Sequence, residues 1–206
     1  MLARLQTPAN SPTDHLFVGT DQYTYFTLSW DSATNEVRTE RSQVNVADPS
    51  SRESETSGRC LVDPSGQFLT LEIYEGVITV LPIIQPHQKK RGRAPAWATG
   101  PDAPRPGELG EPTPTRIDEL FVRSSAFLHV QSGNPRVALL YEDNQKKVRL
   151  KVRELQYTPP TASISADATF VDVGLFAQEL DLGASHLIPV PATLGLSFFQ
   201  SSLLLY

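Results

Sequence analysis

The feature that most limits what this chain can become is a two-residue hydrophobic period. It recurs in short runs and yields to a helical period only briefly, at Val173 to Leu180. After the turn Asp63-Pro64-Ser65-Gly66, Leu69, Leu71 and Ile73 fall on one side of a strand, against Phe68, Thr70 and Glu72. Glu75-Gly76 then reverses the chain, glycine supplying the positive φ of a tight hairpin, and Val77 to Ile84 returns as the partner strand. Upstream, Phe26, Leu28 and Trp30 alternate with Tyr25, Thr27 and Ser29, which predicts a half-buried strand with the first set inward. Asp31 to Asn35 turns into a short polar return strand, Glu36 to Glu40.

Pattern resumes at Ile117 and again at Phe127 to Val130, followed by the apolar run Val137 to Tyr141 and a polar reversal at Glu142-Asp143-Asn144-Gln145. Val148, Leu150 and Val152 then alternate with Lys147, Arg149, Lys151 and Arg153, a stripe expected to form the wet face of an outer strand, where like charges discourage edge pairing. The phase changes at Glu154 and Leu155, which predicts a bulge or the strand's end. A polar gap from Thr158 to Asp172 precedes a last strand signal at His186 to Val190. Short strands, Gly/Pro turns and no crossover helices predict an all-β fold, as a sandwich, a barrel or a propeller. The pattern does not choose among the three.

Two segments lack any such period. Residues 1–14, rich in Pro, Thr, Ser and Asn, read as a disordered tail. Residues 86–115 are crowded with proline and carry the run Lys89-Lys90-Arg91-Gly92-Arg93, so they read as an inserted loop.

Composition removes several function classes. The net charge is -5, so no chain-wide basic field is available to neutralise phosphates. Cys60 is the sole cysteine, which rules out an internal disulfide and a cysteine-rich zinc site and suits a reducing compartment. His15, His87, His129 and His186 are scattered, without spacing for metal or triad chemistry. No phosphate loop or nucleophile elbow is present, and no cofactor, metal or small-molecule substrate is expected. The apolar stretch Leu194 to Tyr206, broken by Ser197, Gln200, Ser201 and Ser202, is too short for a membrane helix, so a membrane partner is not expected.

Five stretches taken together resemble a known family: LFVGTDQYTYFTLSW, CLVDPSGQFLTLEIYEGVITVLPI, RIDELFVRSSAFLH, VALLYEDNQKKVRLKVREL and ELDLGASHLIPVP. In this order they are similar to consecutive blades of the first propeller of the UV-damaged DNA-binding protein large subunit, of fungal type. The wider superfamily includes large subunits of a cleavage-and-polyadenylation factor and of a splicing factor. The resemblance implies a partial β-propeller of about three to four blades over residues 15–191, not closed, with a tail at 192–206 that departs from the family pattern. An open arc of this kind is expected to expose strand edges and to be poorly soluble alone.

The same resemblance implies a non-enzymatic scaffold, part of the adaptor subunit of a cullin-RING ubiquitin ligase in nuclear DNA repair. Its partners through the full-length protein would be substrate receptors and cullin ligase subunits, with DNA or RNA bound indirectly. The alternatives are a nucleic-acid-binding component of a damage-recognition or pre-mRNA processing complex, or a fragment with no function of its own. Asn45, Asp48 and Arg52 match a family loop and are the candidates for a partner-facing surface. Lys89, Lys90, Arg91 and Arg93 are candidates for nuclear import, against a plain solvated linker.

Overall fold

The computed structural model describes residues 1–5, 15–20, 24–39, 44–45, 58–84, 109–130, 132–161, 163–190 and 202–205, with only the backbone path for 44–45, 175–179 and 202–205. Every regular element among them is a strand. The first sheet is the meander β1 (Leu2–Leu5), β2 (His15–Gly19), β3 (Thr24–Asp31) and β4 (Glu36–Thr39), with β5 (Val44–Asn45) also on β3. Tyr25 pairs with Gly19 on one side and Val44 on the other, so β4 and β5 share one interrupted outer strand position.

The second sheet is β6 (Arg59–Val62), β7 (Phe68–Tyr74), β8 (Val77–Pro82) and β9 (Thr113–Arg116). The third is β10 (Val122–Leu128), β11 (Arg136–Glu142), β12 (Val148–Thr158) and β13 (Asp167–Leu180). β14 (Leu187–Val190) pairs with β15 (Ser202–Leu205) in a further two-stranded sheet. All pairings are antiparallel. First strands neighbour one another from sheet to sheet, β1 beside β6, β6 beside β10 and β10 beside β14, while the outer strands β9 and β13 also meet. Each sheet is therefore a blade, and the blades fan out from a common line of first strands.

Stacking explains the core. Leu69, Leu71, Ile73 and Leu81 pack with Leu5, Phe17 and Tyr25 between the first two sheets. Phe68, Ile78 and Val80 pack with Phe127, Val137, Leu139, Leu155 and Phe170 between the second and third. Ala126, Leu128, Ala138, Leu140, Val148 and Val152 pack with Leu187 on the far side of the third. Burying an apolar side chain of this size contributes about 1.5–3 kcal/mol. A middle sheet has no wet face, so all seven residues of β7 are buried, Thr70 and Glu72 included.

Several expectations are corrected. Leu2–Leu5 is not loose tail: it is β1, paired along its length with β2. Residues 109–115 belong to the fold and not to the insert, because Leu109 bridges to Ile83 and is buried, and Thr113–Arg116 pairs with β8. Pro114 is tolerated because β9 is hydrogen-bonded on one side only. A side chain at Gly110 would come within 2.6 Å of the Pro82 ring, which explains the glycine. Val173 to Leu180 is strand, the end of β13, and residues 202–205 within the C-terminal tail pair with β14.

The alternation in β12 does not break at Glu154. Its register with β11 runs on through Arg136↔Glu154, and the irregularities lie in its pairing with the longer β13. The apolar residues change face there because β12 meets the fourth sheet at one height and the second sheet at another. In β3 the sides are reversed from expectation. Tyr25, Thr27 and Ser29 are buried toward the second sheet, while Phe26 and Leu28 stay half-buried and Trp30 exposed.

Candidate protein-interaction surface

Two rims follow from the strand order. One carries the crossovers from an outer strand to the next first strand, at residues 46–57, 117–121 and 181–186, together with the turns β7–β8 and β11–β12. The opposite rim carries the turns β6–β7 and β10–β11 and the connection β12–β13. The proline-rich insert also departs there, since Pro82 at the end of β8 pairs with Phe68 at the start of β7 and Ile83 N–H donates to Gln67 O at 2.8 Å.

The crossover rim is held by arginines that reach between blades. Arg59 on β6 pairs with Glu72 at 2.9 Å and donates to the carbonyls of Val122 and Arg123, both at 2.9 Å. Arg123 on β10 repeats the move one blade on, donating to Leu182 O at 2.8 Å and to Glu142 Oε2 at 2.7 Å. Burial pushes the Glu72 carboxyl above the usual range, and Arg59 offsets this only in part. Lys146 closes on Glu142 at 2.9 Å, and these hydrogen-bonded cations hold Glu142 below its usual range.

Crossover 117–121 is anchored from beneath. Arg153 Nη2 donates to Glu119 Oε1 at 2.7 Å and to Asp118 Oδ2 at 3.1 Å, and Lys151 reaches Glu119 at 3.2 Å and Asp172 at 2.9 Å. Burial opposes the Arg153 cation, but Glu119 and Asp118 outweigh it and the cation is held more firmly than usual. Asp143 accepts from the N–H groups of Lys147 and Gln145 and pairs with Arg149, which lowers its carboxyl.

The basic stripe of β12 is thus neither a phosphate track nor a solvated edge: Arg149, Lys151 and Arg153 are each matched to carboxylates, and β13 covers the strand. Sequence reasoning missed this because period-2 alternation with charges resembles a wet face. The available signal was the acidic pair Asp118-Glu119 just before β10. On the opposite rim, Asp63 shapes the β6–β7 turn, accepting from Ser65 Oγ, beside a shallow groove that includes Gln67, His129 and Pro135.

Among the sequence-derived candidates, Asn45 ends β5 at the start of the crossover 46–57. Asp48 and Arg52, and likewise Lys89, Lys90, Arg91 and Arg93, lie outside the described residues. The topology sends the two segments out at opposite rims, so they do not form one site. Among the described residues no group of His, Cys, Asp and Glu is arranged to hold a metal, and no helix is long and apolar enough to cross a membrane.

Four-stranded antiparallel blades, stacked face to face around a line of first strands and tied by inter-blade arginines, define a β-propeller, here open among the described residues. The whole chain, residues 1–206, matches the family model described as RSE1/DDB1/CPSF1 first beta-propeller. The protein belongs to that family. It is 35% identical over 148 residues to DNA damage-binding protein 1 of Schizosaccharomyces pombe, covering 72% of this chain and 13% of the relative. It is 29% identical over 188 residues to DNA damage-binding protein 1 of Oryza sativa subsp. japonica, covering 91% of this chain and 14% of the relative. The similarly named protein of Drosophila melanogaster is 24% identical over 190 residues. The chain therefore spans about one seventh of the length of these relatives.

Proposed function

We propose that this chain is a protein–protein interaction scaffold, the first-propeller part of the adaptor subunit of a cullin-RING ubiquitin ligase acting in nuclear DNA damage repair, and not an enzyme. The observation that carries the reading is the match of all 206 residues to the first-propeller family, joined to relatives whose names refer to DNA damage binding. Physical chemistry supports it from the other side. The basic side chains of β12 and the crossovers are spent on intramolecular carboxylates and carbonyls, which leaves them little to offer a phosphate backbone. Partners would be substrate receptors and cullin subunits, engaged through the longer protein, with Asn45, Asp48 and Arg52 on one contributing loop.

Deletion of the gene segment encoding residues 58–190 from the native locus tests this. Cells should become sensitive to ultraviolet light while bulk pre-mRNA processing stays normal. Unchanged survival with a splicing or polyadenylation defect would favour the RNA-processing branch instead.

The run Lys89, Lys90, Arg91 and Arg93 serves nuclear import in this proposal, because a proline-rich insert between two strands can present it without disturbing a blade. A fluorescent fusion with all four changed to Ala should shift to the cytoplasm. Equal nuclear signal in parent and variant would discard the import role.

A further inference from the structure

Phe121 has a backbone that its side chain does not explain. Its φ is 52°, a left-handed conformation that is a true outlier for a bulky residue, yet its ring is 52% exposed. Such strain costs on the order of 1–3 kcal/mol and persists only where the surroundings over-determine it. Here they do. On one side Asp118 and Glu119 are pulled down by Arg153 and Lys151; on the other, Phe121 O accepts from Glu142 N–H and β10 begins. The crossover is thus clamped at both ends, with Leu120 (46% exposed) and Phe121 left at its tip.

The tip is framed, not isolated. The Leu120 side chain lies over the β7–β8 turn, 3.1 Å from where a Cβ on Gly76 would stand. Lys146 Nζ sits 5.4 Å from the centre of the Phe121 ring. Leu182, 65% exposed, stands on the next crossover, whose carbonyl Arg123 grips. The charges between them, Arg123, Glu142 and Lys146, are closed on one another.

We propose that Leu120, Phe121 and Leu182 form an apolar docking anchor on the crossover rim, occupied by a low-charge segment of a partner protein that inserts apolar side chains. The closed charges decide the chemistry. A polyanion would find no unmatched cation among those flanking the tip, whereas an apolar segment need break no ion pair. A rigid aromatic presented at low entropic cost is also the usual centre of a protein hot spot. The inference rests on the scaffold reading and deepens it.

The test selects phage-displayed random peptides on the full 206-residue chain and measures their affinity for variants. Peptides rich in Leu, Ile, Phe or Trp and poor in charge should emerge, and Phe121→Ser or Leu120→Ser should weaken them by about tenfold or more. Trp30→Ser, an exposed aromatic on the first sheet, should leave them unchanged. Recovery of no peptide, of charged peptides, or of peptides indifferent to Phe121 overturns the proposal, as does concentration-dependent self-association that Phe121→Ser abolishes. Phe121→Gly separates docking from folding: a glycine accepts this φ freely, so the variant should melt no lower than the parent while losing the peptides. A melting temperature well below the parent's would show that the ring serves the fold and sink the docking role. These binding outcomes are independent of ultraviolet survival, so the proposal can fail while the ligase reading stands.

Discussion

At the scale of single residues, the inter-blade pair Arg59–Glu72 behaves asymmetrically. Glu72 is buried between two sheets, and desolvation raises its carboxyl above the ordinary value of 4.5 despite Arg59. The folded state then binds that proton more tightly than the unfolded chain. The stability it contributes is fully present below 4.5 and is lost as pH rises through the raised value. Glu142, Asp143 and Asp172 are lowered and act in the opposite sense, contributing above their ordinary values and losing that contribution on acidification.

Glu72→Gln should therefore gain stability relative to the parent between pH 4.5 and neutrality. Arg59→Met should lose roughly 2–3 kcal/mol at neutral pH, since it strands a buried carboxylate and strips two carbonyls of their donor. Urea denaturation of both variants at acidic and neutral pH checks this. A Glu72→Gln variant that weakens steadily with rising pH, or an Arg59→Met variant as stable as the parent, would contradict the assignment.

At the scale of elements, what was legible in the sequence was whatever a strand dictates by itself. The hairpin β7–β8 stands where alternation and Gly76 place it, and Gly76 has the φ of 71° that a tight reversal asks of it. The turn before β12 likewise falls on Asp143. What was not legible was which face of a strand is wet, because that depends on neighbouring sheets far away in sequence. Phe26, Leu28 and Trp30 look like an inward face and stand on the outer one; Thr70 and Glu72 look solvated and are buried. In a stack of sheets both faces are spoken for, so amphipathic logic misassigns polar residues that meet partners across the gap. The candidate site suffered most. Glu119 and Arg153 are separated by 34 positions, and no local pattern links them. The strain at Phe121 is likewise invisible without coordinates.

At the scale of the whole molecule, three blades and the beginning of another share one construction: an inner strand beside its neighbour's inner strand, apolar faces pressed together, and arginines across the rim. Such a body offers rims and loops to other proteins while its sheets stay committed to one another. That is the physical content of calling it a scaffold, and it is the part of the account that reaches beyond one chain. The most direct measurement is affinity purification of the natively expressed protein, tagged at its own locus and cross-linked before lysis, with partners identified by mass spectrometry. The account predicts a cullin and substrate-receptor propellers, with cross-links from receptors to the crossover rim. Recovery of cleavage, polyadenylation or splicing factors with no ligase subunit would contradict it.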